Sequence, residues 1–244
     1  MVKVFAIAKS VVTDAIRRKV LWIVVAFSAV LAMTIPALPS YGVGVADAVF
    51  REVAIALMYA AALVMALSLA VTRIPNEIER RTVFNVIARD VRRWQYVFAT
   101  WLGMFVVLGV MLLAFTAVTV GIGVINYQVA MWRLFEASLA VWLEVGVVMA
   151  FAVMLSSSFG PITAAVGALA FAFIGHAFVT LLNLPELARA PWYIPNLEVF
   201  NVINPVAHGN GYGLVYGLGM VLAFLAWVSL LLLAGSVIFS KRDL

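Results

Sequence analysis

The chain reads as an all-α integral membrane protein of about six transmembrane helices. Two thirds of its 244 residues are hydrophobic and 11% are charged, with a mean hydropathy of +1.13. A soluble domain of this size could not cover so much apolar surface with so few charges. The apolar residues fall in runs of roughly 20, the length that crosses a bilayer at about 1.5 Å rise per residue. The alternating pattern of a transmembrane barrel is absent, so the spans are helices.

Residues 1–19 come first. Val4, Phe5, Ile7, Ala8, Val11, Val12, Ala15 and Ile16 are interleaved with Lys3, Lys9, Asp14, Arg17 and Arg18. That spacing predicts an amphipathic helix in the inner interface, its apolar side in lipid and its cations among the headgroups. An ordinary basic flank is the alternative. No cleavable signal peptide is expected, since the first apolar run follows five basic residues and no small-residue site closes it.

Spans are predicted over 20–38, 53–72, 102–124, 134–155, 162–182 and 214–239. With the N-terminus inside, thirteen basic residues lie on the cytoplasmic side. They are the five before residue 20, then Arg73, Arg80, Arg81, Arg89, Arg92 and Arg93, then Lys241 and Arg242. Only Arg51, Arg133 and Arg189 fall outside. This bias predicts a multi-pass protein of the cytoplasmic membrane with both termini inside. The same bias accounts for a pI near 9.7, with anionic lipid headgroups and no nucleic acid as the partner. A chain without cysteine has no disulfide, thiolate metal site or thiol nucleophile.

Most connections are short. The turn Ser156-Ser157-Ser158-Phe159-Gly160-Pro161 is tight, and Pro161 suits the first turn of a helix. Residues 183–213 are the outer exception. Pro185, Pro191, Pro195 and Pro205 prevent a span, while Trp192, Tyr193, Phe200 and Tyr212 make the segment too apolar for a solvated loop. Short interfacial or re-entrant helices over the outer mouth are expected. Gly103 and Gly109, Gly121 and Gly123, Ala168 and Ala172, and Gly213 and Gly217 are spaced for close helix packing.

The most informative stretch is the cytoplasmic segment 73–93. Pro75 biases Ile74 away from helical geometry and predicts the end of the second span there. Asn76 followed by Glu79 resembles a capping box, and Glu77 and Glu79 favour a helix N-terminus. Asp90 is placed to cap a second helix leading into the third span. Trp94, Tyr96 and Trp101 are expected to form an aromatic belt. A short cross-wise helix carrying Val83, Phe84, Val86 and Ile87 suits a groove on a soluble partner, against the alternative of a solvated basic loop.

Inside the membrane, Glu144 stands near the middle of the fourth span. A carboxylate there must face the bundle, pair or be protonated. It is either a substrate or proton site or a structural acid bonded to a neighbouring helix. His176, in the outer half of the fifth span, reads first as an interhelical hydrogen-bonder. Counted from the outer ends, the two differ in depth, which argues against a dyad. His208 with Asn204 and Asn210 is too sparse for a metal set, and the ten methionines look like packing residues. No G-x-S-x-G, H-E-x-x-H or paired carboxylate motif occurs.

Glu77-Ile78-Glu79-Arg80-Arg81-Thr82, the apolar run 83–87, Ala88-Arg89-Asp90-Val91-Arg92-Arg93 and the aromatics Trp94 and Tyr96 follow a recognisable pattern. The pattern is E-x-E-[KR]-x-T, then apolar residues, then [SA]-R-P-V-x-R and an aromatic. In this the chain resembles the permease subunits of type-2 ABC exporters, as it does in its six spans, its long outer segment and its Ser240-Lys241-Arg242-Asp243-Leu244 ending. Asp90 replaces the usual proline, and Thr100 lies near a common lysine.

The resemblance implies a single transmembrane permease domain over 1–244, paired with a second permease chain, expected to be identical, and with two copies of a separate ABC ATPase. The helix 76–89 would transmit the ATPase motion. Glu77, Glu79, Arg80, Arg81, Arg89, Arg92 and Arg93 would form the polar docking surface, beside Thr82 of the motif, and Val83, Phe84 and Ile87 the buried anchor. With no G-x-x-x-x-G-K-[ST] in the chain, ATP and Mg²⁺ belong to the partner and no cofactor to this chain. Glu144 and His176 are the candidates for a transport path. A membrane subunit passing ATPase motion to an extracytoplasmic partner without transport is the second reading, and an intramembrane enzyme the third.

Overall fold

The apolar runs fold as helices, and no strand occurs among the described residues, which in this computed structural model are 7–13, 20–34, 45–79, 92–182 and 196–241. The main helices are α1 (Val20–Thr34), α2 (Ala46–Glu79), α3 (Arg93–Tyr127), α4 (Arg133–Ser156) and α5 (Pro161–Leu182). A 3₁₀ turn (Leu197–Phe200), a short α6 (Ile203–Ala207) and α7 (Leu214–Ser240) complete the order. Helices α2, α3, α4 and α7 are long and apolar enough to cross a membrane, whereas α1 and the described part of α5 are shorter apolar helices.

α4 is the hub, packed on α2, α3, α5 and α7 and touched by the 3₁₀ turn and α6. Its small residues Ala137, Ala140, Gly146, Ala150 and Ala152 are buried. In a bilayer no hydrophobic force drives helices together, so close backbone approach and van der Waals packing must do so. At Gly146 an added Cβ would lie 2.5 Å from the Phe105 ring and 2.9 Å from that of Phe224. Phe105 stacks on Trp142 at 4.2 Å and on Trp101 at 4.9 Å between ring centroids. Both indoles are satisfied across the same seam: Trp101 Nε1 donates to the Gly146 carbonyl at 3.2 Å and Trp142 Nε1 to that of Phe105 at 2.9 Å. Gly109 leaves the room for Trp142.

Several expectations are corrected. α2 does not end at Pro75 but continues as one helix to Glu79. Proline forfeits one backbone hydrogen bond, but Ile74 is fully buried, and Arg73 and the Tyr96 hydroxyl both hold Glu77 in the following turn. Asn76 therefore lies inside a helix and caps nothing. The aromatic belt is also not formed as expected. Trp94 is exposed, while Tyr96 and Trp101 are buried, because they fall on the face of α3 turned to the bundle, where Tyr96 stacks on Phe239. In the N-terminal segment, residues 7–13 are helical, but Ala8 and Val11 pack on α3 at Gly103. Of its described apolar residues Ala8 and Val11 are thus covered by protein, and Lys9 is exposed.

The two ends of the bundle differ. At one end Arg93 Nη1 donates to the Phe239 and Ser240 carbonyls at 3.2 and 2.8 Å, a cation on the terminal carbonyls of α7. At the other, Arg51 pairs with Asp47 and Arg133 with Glu136 along their own helices. There the Tyr212 hydroxyl donates to the Glu136 carbonyl at 3.2 Å, and burial, followed by the Glu136 charge, holds this phenol above its ordinary pKa. Gln128, in a left-handed conformation, ends α3.

Gly146→Val should overpack the Phe105–Phe224 seam and destabilise the bundle by about 1–3 kcal/mol. In a thermal size-exclusion assay of the detergent-purified chain the expected outcome is a lower unfolding midpoint; an unshifted midpoint would show that the seam yields freely.

Candidate functional site

Four polar side chains from four elements converge within the bundle: Tyr59 of α2, Glu144 of α4, His176 of α5 and Glu198 of the 3₁₀ turn. His176 is the centre. Its Nε2 lies 3.2 Å from the Tyr59 hydroxyl and 2.7 Å from Glu144 Oε1, and its Nδ1 lies 3.0 Å from Glu198 Oε1. The Tyr59 ring stands edge-on to the imidazole, with centroids 5.5 Å apart and planes at 84°. Glu198 is itself held, its Oε2 accepting from Asn201 Nδ2 at 2.9 Å and its backbone N–H donating to Asn196 Oδ1 at 3.0 Å.

Local sequence explains the convergence. At Gly175 a Cβ would lie 2.5 Å from Leu197 Cγ, so only glycine lets the 3₁₀ turn rest on the backbone of α5. The next residue along each segment is then His176 and Glu198. Leu197 and Phe200 are buried and anchor the turn, and the Tyr216 hydroxyl donates to the Val199 carbonyl at 2.7 Å, tying it to α7.

Glu144 and His176 are therefore in contact, contrary to the depth estimate from the outer ends. α4 and α5 are joined by a short turn between Ser156 and Pro161. Measured from that turn, Glu144 is twelve residues in and His176 fifteen, a mismatch of about 4.5 Å that side chains and helix tilt absorb.

Glu144 is only 3% exposed. His176 Nε2 faces both the Tyr59 hydroxyl and Glu144 Oε1, and its one N–H serves one of them at a time, so Oε1 has a close charge contact without a well-aligned donor. Beside it lies a cavity of ≈300 Å³ whose walls include Ile55, Tyr59, Glu144, His176, Phe200 and Asn201. A larger groove of ≈460 Å³ between α3 and α4 is almost wholly apolar and carries no comparable chemistry. Among the described residues no group of three or more His, Asp or Glu is arranged to hold a metal ion. His208 Nδ1 meets the Asn204 carbonyl at 2.9 Å at the end of α6, a capping contact.

Of the expected docking residues, Arg80, Arg81, Thr82, Val83, Phe84, Ile87 and Arg89 lie outside the described residues, and Glu79 ends α2. Glu77 and Arg93 are engaged within the bundle, on Arg73 and Tyr96 and on the end of α7 respectively. Arg92 is exposed at the start of α3, where its backbone N–H donates to Gln95 Oε1 at 3.2 Å.

Tyr59 and Glu198 were not among the expected site residues. A single tyrosine among the alanines, leucines and methionines of the second span was a signal for the first. For the second there was only one of two acids, Glu186 and Glu198, in a proline-rich segment.

Residues 15–244 match a family model described as a protein of unknown function (DUF2705), and the chain belongs to that family. No curated protein matches it.

Gly175→Leu should displace the 3₁₀ turn from α5. Because the chain lacks cysteine, His176→Cys with Glu198→Cys gives a clean reporter for a short bifunctional cross-linker. Efficient cross-linking is expected in the parent background and a several-fold loss with Gly175→Leu; equal yields would refute the packing argument.

Proposed function

We propose that this member of the family is the transmembrane subunit of an ATP-driven exporter, working as a homodimer with two copies of a separate cytoplasmic ATPase. In this reading the chain crosses the cytoplasmic membrane six times with both termini inside. Residues 80–91, flanked by Glu77, Glu79, Arg92 and Arg93, receive the ATPase. Phe84 with Val83 and Ile87 would enter a groove on the partner, while Arg80, Arg81 and Arg89 meet its polar rim. ATP and Mg²⁺ stay on the partner.

The observation that carries the reading is the way the two helices bordering this loop are fastened. α2 runs unbroken to Glu79 and α3 starts at Arg93. Tyr96 of α3 holds Glu77 of α2, and Arg93 holds the end of α7. A push on the loop is therefore delivered to three long helices at once, which is what an element that transmits force requires. The E-x-E-R-x-T sequence at its start supports the same assignment. Glu144 and His176 would lie on the transport path.

A second reading, a subunit that passes motion to an extracytoplasmic partner without transport, is favoured by the small, largely apolar cavity beneath the 3₁₀ turn and α6. It shares the ATPase and differs only in what is moved.

Tagged chain purified from its native membrane should bring down a stoichiometric ATPase, and Arg81→Glu combined with Phe84→Ala should release it while leaving the bundle monodisperse. Undiminished co-purification of the ATPase with the double variant would sink the docking assignment.

A further inference from the structure

The site around His176 has an uneven charge count. Glu144 and Glu198 contribute two carboxylates, and among the described residues their ion pairs are with His176 alone. With both acids ionised, one imidazolium leaves one negative charge over. In an apolar bundle an uncompensated carboxylate is expensive, and the residue left short is identifiable. Glu144 is buried, and beyond the close approach of His176 Nε2 no donor is aligned on its Oε1. It lies at the wall of a ≈300 Å³ cavity in which Tyr59 and Phe200 supply aromatic groups and Ile55 an apolar surface.

We infer that this cavity binds a compact organic cation, an ammonium group on an apolar body, with Glu144 as the counter-ion. The cation supplies the missing positive charge and the aligned donor that Glu144 Oε1 lacks. Tyr59 and Phe200 offer the aromatic surroundings that ammonium groups favour, and the remaining walls accept a hydrocarbon body. A bare Na⁺ fits poorly, because hard cations take about six oxygen ligands and the walls offer few. The two carboxylates approach opposite nitrogens of one ring, so they do not share a metal ion either. The inference takes the cavity to be an opening of the proposed path, but binding by the chain alone is measured without an ATPase. Failure here would leave the docking assignment standing, and failure of docking would leave this intact.

Isothermal titration of the purified full chain in lipid nanodiscs tests it with 2-phenylethylammonium and its neutral counterpart 2-phenylethanol. Saturable binding of the cation, at least about tenfold tighter than the alcohol, is expected from a charge-assisted hydrogen bond. Glu144→Gln should abolish that preference. Ile55→Trp keeps every charge but fills the cavity, and it should remove binding of both probes. Should Glu144→Gln prove unstable, Ile55→Trp alone decides whether the cavity is the site. Equal affinity for the two probes, no binding of either, or cation binding unchanged by Ile55→Trp would overturn the proposal. So would a titration showing only proton exchange between the cluster and buffer.

Discussion

The placement of one carboxylate constrains much of this bundle. Glu144 lies near the middle of α4, on the helix that every other long helix touches. An unanswered charge there would cost several kcal/mol, so its surroundings cannot be plain hydrocarbon. His176 answers it from α5, Tyr59 meets the same imidazole nitrogen from α2, and Glu198 closes the far side of the ring from the 3₁₀ turn. Three helices and a short turn are thereby fixed in rotation relative to one another. Apolar packing alone does this poorly, since one leucine face resembles the next. Neutral imidazole has one N–H and imidazolium two, so the contacts His176 can satisfy depend on a single proton.

The polar cluster is possible only because the backbone is allowed to come close. Gly175 lets the 3₁₀ turn reach α5, and Gly146 lets the Phe105 and Phe224 rings reach α4. The two glycines work on opposite problems. Gly175 brings Glu198 to His176, whereas Gly146, two residues from Glu144 and so on a different face of α4, makes room for an aromatic seam. Stacked aromatic pairs contribute about 0.5–1.5 kcal/mol each beyond burial, and the seam between α3, α4 and α7 holds several. Rigid packing on one side of α4 and a polar cluster with a cavity on the other separate the part that holds shape from the part that can accept a ligand.

Much of this was legible in the sequence, and the failures have physical causes. Composition and run length were enough for a helical membrane protein, and Glu144 was conspicuous because a mid-span acid is rare. The pairing with His176 is hidden because a residue count along two helices does not include the few ångströms that side-chain length and helix tilt absorb. Pro75 looked like a stop because its local cost is visible in sequence, whereas the burial of Ile74 and the hold of Arg73 and Tyr96 on Glu77 are tertiary. Tyr96 and Trp101 carry the composition of an interfacial belt, yet helical phase decides their direction, and that phase was fixed only by what α3 packs against. Gly103 reads from sequence as a packing residue, but its partner does not. Its partner is the N-terminal segment, at Ala8 and Val11.

α2 joins the two regions of interest. Tyr59 and Glu77 are eighteen residues apart on this one helix, which is five turns at 3.6 residues per turn, so they share a face about 27 Å apart. One end of that face touches the imidazole, and the other is clasped by Tyr96 beside the loop proposed to receive the ATPase. Between them lies Pro75, where the missing N–H removes the hydrogen bond to the carbonyl of Val71. A helix bends most readily where its ladder is interrupted. Force applied at residues 80–91 would therefore meet a rod that is stiff from Tyr59 to Val71 and softened in its last two turns. Whether that force reaches the cluster depends on the contacts around the softened turn, and these are in place: Ile74 in the core, Arg73 on Glu77, Tyr96 across to α3. Coupling between loop and cluster then requires no continuous polar wire, only a helix held at both ends whose displacement changes the distance between Tyr59 and His176.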